Sequence, residues 1–312
     1  MHNHFIFWVI FALMISVMFY IDLYVTDHRK GKIGIKSSLM WSGIWIGTAL
    51  IFNVIIYFFL ENGSSKAVEY LAGYIIEKSL SVDNLFVFLM IFKVMGIQDS
   101  HQPHVLKWGI LSAIVMRIIF ILAGVALIEL FHPVIYIFGI ILFYAAYKMA
   151  FGGDEQLDLE NNIIMKFVSR KFNILTKYNG RKFFVKHEKK VFLTPLFLTL
   201  LLIESADIVF AVDSIPAVIA ITKDPFIIIT SNIFAILGLR ALYFALAGIV
   251  DIFTYLKYGV GVILAYVGLK MILSDIYPIP TEYSLIFIVL CLVVSVVISL
   301  VIKRKEVKKE EN

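Results

Sequence analysis

The chain has one cysteine in 312 residues, Cys291, and it lies inside an apolar run. No disulfide can form within the chain, and no pair of thiolates is available for a soft-metal site or for thiol catalysis. Charged residues are scarce at 16%, while 61% are hydrophobic and the mean hydropathy is +0.91. Those values exclude an ordinary soluble globule and place the chain with polytopic membrane proteins. There is no HExxH pair and no phosphate-binding P-loop. YGVGVIL, the nearest approach to the GxGD pattern of intramembrane aspartyl proteases, has no aspartate. The N-terminus has neither a basic n-region nor a small-residue cleavage site, so its apolar run is expected to be a first transmembrane helix and not a removed signal.

What is present is a series of long apolar runs. Nine stretches suffice to span a bilayer, approximately 5–25, 38–60, 67–94, 106–128, 133–151, 193–221, 225–248, 256–274 and 284–302. The expected fold is therefore all-α, with about nine transmembrane helices. Lys and Arg alternate between the connections. Arg29, Lys30, Lys32 and Lys36 fall in the first loop, nine more in the 152–192 loop, and Lys303, Arg304, Lys305, Lys308 and Lys309 in the tail. The positive-inside rule then puts the N-terminus outside and the C-terminus in the cytoplasm, a parity that nine spans satisfy. The net charge of +5 sits in these loops, so it sets topology and does not point to nucleic acid.

The 152–192 loop is the only sizeable piece expected outside the membrane. Ile164, Val168, Phe172 and Leu175 fall at helical spacing, with Lys166, Arg170 and Lys171 on other faces. That suits a helix lying on anionic lipid, and a solvated basic connector fits equally well. His101 and His104 in HQPH have metal-compatible spacing but read as surface residues of a short loop.

Eight charged side chains interrupt the apolar runs: Glu77, Lys78, Asp83, Arg117, Glu204, Asp207, Asp213 and Arg240. Insertion scales charge roughly 2.5–3.5 kcal/mol for each at the bilayer centre, so such residues mark function by default. They also repeat. SVDNLFVF at 81–88 matches SADIVFAV at 205–212, RIIFILAG from Arg117 matches RALYFALAG from Arg240, and GIILFYAAYKM at 139–149 matches GVILAYVGLKM at 261–271. The offsets are 124, 123 and 122 residues, which amounts to a repeat of three helices. Three is odd, so the second copy enters the membrane from the opposite side: a 3+3 inverted repeat, the plan in which a substrate site forms at the midplane. The expected units are two N-terminal peripheral helices (1–66), a first repeat (67–151), the basic loop (152–192), a second repeat (193–274), and a last helix with a basic tail (275–312).

On a straight helix Glu204 and Asp207 share a face, whereas Asp213 lies about 180° round from Glu204. Glu77, Ser81 and Asn84 form one stripe with Asp83 about 120° away. If all the acids converge, each copy needs a bent or unwound segment, and Pro216 is the expected kink in the second. Five acids stand against three bases, an excess of −2 that one divalent cation would answer. Carboxylates with Asn84 and the hydroxyls of Ser79, Ser81, Ser205 and Ser214 are hard oxygen donors, which suit Mn²⁺, Mg²⁺ or Ca²⁺ better than Cu⁺ or Zn²⁺. Protons are the expected exchanging ion, because a carboxylate in a low-dielectric interior sheds its charge by protonation. A plainer reading is that Arg117 and Arg240 merely neutralise Asp83 and Asp207 as packing pairs.

EKSLSVDNLFVF, TPLFLTLLLIESADIVFAVDSIPAV and DPFIIITSNIFAILGLRALYF resemble the TerC family in its longer, Alx-like branch, a likeness running from about residue 35 to residue 302. The resemblance implies an integral inner-membrane protein related to lysine-exporter-type transporters. The family was named for tellurite resistance; members act in Mn²⁺ export, and some are thought to supply metal to proteins being secreted, so association with secretion machinery is a possible partnership. The family's acidic positions map onto Glu77, Asp83, Glu204, Asp207 and Asp213.

The expectation is a divalent-cation exporter, Mn²⁺ by resemblance, with metal as substrate and no resident cofactor. Asp83 and Asp207 are expected to be pseudo-symmetric ligands, and Glu77, Glu204 and Asp213 to complete coordination or carry protons. Asn84 would be a neutral ligand. Lys78, Ser81, Arg117, Ser205, Ser214 and Arg240 would balance charge around them. The alternatives are an oxyanion or tellurite function at the two arginines, which the acid excess disfavours, an intramembrane enzyme with paired carboxylates, and a membrane scaffold without transport.

Overall fold

The computed structural model describes residues 2–22, 34–151, 172–175, 180–187, 190–247, 256–277 and 279–310. The helices are α1 (His2–Tyr20), α2 (Ile35–Phe59), α3 (Gly63–Val94), α4 (Gln102–Leu130), α5 (Val134–Phe151), α6 (Pro195–Ile219), α7 (Pro225–Ile236), α8 (Leu239–Ala247), α9 (Leu256–Ile272) and α10 (Thr281–Glu310). Among the described residues five stretches are long and apolar enough to cross a membrane: Ile35–Phe59, Gln102–Leu130, Pro195–Ile219, Pro225–Ala247 and Thr281–Ile302. α3 has the length but carries Glu77, Lys78 and Asp83, and Phe5–Tyr20, Val134–Lys148 and α9 are shorter apolar helices. A helix satisfies its own backbone hydrogen bonds, which is what a chain in lipid requires.

The outermost faces are apolar. α2 exposes Ile51, Val54 and Phe58, and α10 exposes Leu290, Val293 and Val297, as lipid-facing helices do. α7 is the opposite case, buried along its whole length from Phe226 to Ile236. Aromatic rings from three helices surround it: Phe11 of α1 and Phe52 of α2 lie 5.8 and 4.9 Å from Phe234, and Tyr70 of α3 lies 6.3 Å from it. α5 and α9 approach closely. A Cβ on Gly139 would stand 2.7 Å from Ile272 Cγ1, and one on Gly268 would stand 2.9 Å from the Gly139 carbonyl. Small residues are what let helix backbones meet in a membrane.

Two expectations change here. First, neither acid-bearing helix unwinds. α3 is one helix of 32 residues, and α6 runs through Pro216 to Ile219. Pro216 lies in the last turn of α6, where its missing N–H costs one ladder bond just before the helix ends. The break falls instead between α7 and α8, where Gly238 has φ +86. A Cβ there would stand 2.8 Å from Trp45 Cδ1, so both conformation and space require glycine. Gly238→Ala is expected to cost about 1–3 kcal/mol, read as a lower unfolding temperature in detergent. Gly43→Ala on α2, where a Cβ meets nothing within 4 Å, is expected to leave stability unchanged or raise it.

Second, the fold is not wholly helical. β1 (Asn173–Ile174), β2 (Phe184–His187) and β3 (Lys190–Leu193) form a sheet of order β1-β3-β2, parallel in the first pair and antiparallel in the second. The run FFVKHEKKVFL sets two β-prone stretches about a charged turn, a hairpin signal. The helix expected from Ile164 to Leu175 fails at its end, because Leu175 N–H donates to the Leu193 carbonyl at 2.9 Å. Ile164, Lys166, Val168, Arg170 and Lys171 lie outside the described residues. Thr194, the N-cap of α6, donates its hydroxyl to the Lys182 carbonyl at 2.9 Å, which ties the sheet to α6. The His104 ring at the start of α4 stacks on Phe183, with 4.9 Å between centroids.

Candidate intramembrane charge cluster

Arg117, 1% exposed, projects from α4 into a point where α3, α6 and α7 meet. Its Nη1 donates to Glu77 Oε1 of α3, to Ser214 Oγ of α6 at 2.9 Å and to Asn232 Oδ1 of α7 at 3.3 Å. Nη1 carries two hydrogens, so the three acceptors share them. Nη2 donates to Asp207 Oδ1 of α6 at 3.3 Å. One planar guanidinium therefore joins Asp207, inside the repeated motif on α6, to Glu77, one turn before the matching motif on α3. The fork geometry suits this task and an ammonium would not.

Glu77 is fully buried, and its Oε2, like Ser81 Oγ one turn along α3, has no hydrogen-bond partner among the described residues. Buried oxygens are rarely left so. Asp207 and Asn84 line a cavity of about 20 Å³ where α3, α4 and α6 meet the break between α7 and α8, with Phe88, Ile110, Ile203 and Ile236 also in its wall. That volume holds one water-sized or ion-sized occupant. Glu204 lies a turn before Asp207 and accepts from Ser112 Oγ of α4 at 2.6 Å.

The remaining expected site residues are elsewhere. Asp213 is half-buried and faces the charge of Lys148 on α5, as the half-turn separation on an unbent α6 requires. Ser205 donates to the Leu202 carbonyl of its own helix at 2.8 Å. Lys78 donates to the Ala235 carbonyl at 3.1 Å, a cation at the C-terminus of α7. Arg240 meets Asp22, two residues past the end of α1, at 3.1 Å. Asp83 is on α3, but its side chain lies outside the described residues. Among the described residues no three His, Cys, Asp or Glu side chains converge as a metal-holding group. Asn232, Ser112 and Asp22 were not singled out from the sequence as members of this network. Thr230, Ser231 and Asn232 do form a polar interruption in an apolar run, and that was the available signal.

Residues 62–307 match the model of the integral membrane protein TerC family, a segment that contains Glu77, Arg117, Asp207, Ser214 and Asn232. The chain belongs to the TerC family. A Photorhabdus laumondii protein named "Putative membrane-bound redox modulator Alx" is 39% identical over 299 residues, covering 94% of this chain and 93% of its own. The Escherichia coli K12 protein of the same name is 40% identical over 285 residues, 89% of each chain. An uncharacterized membrane protein of Myxococcus xanthus is 41% identical over 297 residues, 95% of this chain and 92% of its own. No solved structure matches. As a TerC family member with several long apolar helices, the chain is membrane-embedded.

Proposed function

We propose that this TerC family protein is a transporter, not an enzyme, that exports a divalent cation, Mn²⁺ before others, through the cluster at Arg117. The observation that carries this reading is Glu77 Oε2, a fully buried oxygen without a hydrogen-bond partner among the described residues, beside a second carboxylate, Asp207, inside a membrane-embedded bundle. Glu77 and Asp207 donate oxygen to the ion, with Asp83, Asn84 and Ser81 as further donors. Glu204 and Asp213 carry protons or complete coordination in another conformation. Arg117 and Ser214 hold the carboxylates together between passages, and Lys78, Arg240 and Ser205 fix the helices around them. The ion is cargo, exchanged for protons, and no cofactor resides in the chain.

The same reading has nine spans in the inner membrane, N-terminus outside and C-terminus in the cytoplasm, built on a 3+3 inverted repeat. One contact supports the repeat: the equivalent third helices, α5 and α9, meet at Gly139 and Gly268. The basic 152–192 loop faces anionic lipid, and secretion machinery is a candidate recipient of the metal. The relatives' name concerns redox modulation. With one cysteine this chain has no internal thiol–disulfide couple, so a redox effect would follow from the metal it moves. The test is total Mn²⁺ in cells expressing the wild type, Asp83→Asn or Asp207→Asn. The wild type is expected to lower it and the variants to leave it unchanged, whereas variants as effective as the wild type would sink the ligand assignment.

A further inference from the structure

We infer that the cavity at the start of α3 is the vestibule through which the cation leaves the cluster, and that Lys66 balances its charge so that the ion is not held there. Such a vestibule presupposes the transport reading above, while the contacts that define it are separate from those of the cluster. The cavity has a volume of about 420 Å³ and lies where the start of α3, the connection from α6 to α7 and the end of α9 meet. That is the size of a small-molecule pocket. It stands in line with the cluster. Glu69 in its wall precedes Glu77 on α3 by eight residues, about 12 Å along a helix. Ile219 in its wall follows Ser214 on α6 by five. The small cavity at Asp207 lies on the other side, lined by Asn84 and Phe88 further along α3 and by Ile203 earlier on α6. Arg117 and its carboxylates therefore stand between a narrow cavity and a wide one. In the nine-span topology proposed above α3 begins outside, which puts the wide cavity on the exit side.

Three lysines, Lys66, Lys223 and Lys270, stand in the wall of the vestibule with three acids, Glu69, Asp224 and Asp275. Two of the acids share one lysine: Lys66 Nζ lies 3.1 Å from Glu69 Oε2 and 3.1 Å from Asp224 Oδ2. Lys270 and Asp275 are engaged elsewhere. Lys270 donates to Ser284 Oγ at 3.0 Å, and Asp275 Oδ2 accepts from the Tyr136 hydroxyl at 2.7 Å. Glu69 and Asp224 are also held in place by groups other than Lys66. Glu69 Oε2 accepts from the Thr222 hydroxyl at 2.5 Å, and Asp224 Oδ1 accepts from the Phe226 N–H at 2.9 Å as the N-cap of α7. An ammonium that reaches both carboxylates from one point marks where a metal cation reaching both would sit. The number of charged ligands sets how tightly such a seat holds a divalent ion. Lys66, tethered in that seat, leaves the wall balanced, whereas the cluster sets two carboxylates on one guanidinium. A cation released by the cluster thus meets no second trap on its way out.

The test uses the full chain with Mn²⁺ as the probe, comparing wild type, Lys66→Met, and Lys66→Met combined with Glu69→Gln. Two quantities are read: Mn²⁺ bound per chain in detergent, counted by electron paramagnetic resonance, and Mn²⁺ flux in proteoliposomes. Lys66→Met leaves the two carboxylates without their shared ammonium. It is expected to bind one Mn²⁺ more than wild type and to lower the maximal rate about tenfold, as a seat tighter by that factor would. Adding Glu69→Gln removes one carboxylate and keeps an acceptor for Thr222. The count is then expected to return to that of wild type, and the rate to within about threefold of it. A chain that had merely misfolded would not recover on a second substitution. Where the wild type moves Mn²⁺, the vestibule stands only if both changes appear and both are reversed. An unchanged rate in Lys66→Met, no added ion, or a slow rate that Glu69→Gln leaves slow would each overturn it. If the wild type moves no Mn²⁺, the transport reading fails. The count then judges the charge balance alone: an added ion in Lys66→Met supports it, and an unchanged count overturns it.

Discussion

Arg117→Met is expected to destabilise the protein by about 3–5 kcal/mol, the usual penalty for stripping a buried ion pair of one partner. The site explains why this is the most damaging single change. Glu77 and Asp207 both take their charge partner from this one guanidinium, and Ser214 and Asn232 lose a donor with it. Methionine fills the space of the stem but answers neither carboxylate. Arg117→Lys is expected to recover only part of the loss, because a single ammonium cannot span acceptors on α3, α6 and α7 at once. Combining Arg117→Met with Glu77→Gln removes one charge of each sign. Stability is expected to return in part, while transport is not. Thermal unfolding in detergent, run beside the flux assay, reads both. A single Arg117→Met variant as stable as wild type would show that the cluster is not a paired charge network.

Glu77→Gln is expected to lower transport by about a hundredfold, the upper range for disturbing a metal's oxygen environment. The amide keeps an oxygen for Arg117 but replaces Oε2, which has no hydrogen-bond partner among the described residues, with an N–H₂ group that repels a cation. A stability cost of about 1–3 kcal/mol is expected from burying that donor. The two effects separate experimentally. If the loss is only structural, the residual flux should rise in proportion to the folded fraction as temperature is lowered. If the carboxylate binds the ion, flux stays low even when all the protein is folded.

The sequence carried the chemistry of the cluster more plainly than its geometry. Glu77, Asp207 and Arg117 stand out because charges in apolar runs are rare, Ser214 enters as a hydroxyl beside Asp213, and the structure joins Arg117 to the other three. The half-turn offset of Asp213 from Glu204 was also legible, and Asp213 lies apart because α6 does not bend. Pro216 looked like the helix breaker, but its effect depends on position, and one turn from a helix end it breaks little. The decisive residue was Gly238, whose left-handed backbone only packing against Trp45 reveals. Arg240 meets Asp22, which comes from outside the repeat, and nothing in the repeated motifs points to that contact. The short sheet after residue 172 escaped because helical spacing and strand alternation overlap over so few residues.

The central claim is that a divalent cation crosses this membrane-embedded bundle at the cluster that Arg117 organises. The most direct measurement is uptake into proteoliposomes holding purified wild-type protein, with Mn²⁺, Mg²⁺, Ca²⁺ and Zn²⁺ compared, with and without a pH gradient. The account predicts uptake of Mn²⁺ above protein-free vesicles, preference for the hard, oxygen-seeking ions over Zn²⁺, acceleration by an opposing proton gradient, and loss of all three in Asp207→Asn. No metal movement by the wild type, or equal movement by wild type and Asp207→Asn, would contradict it.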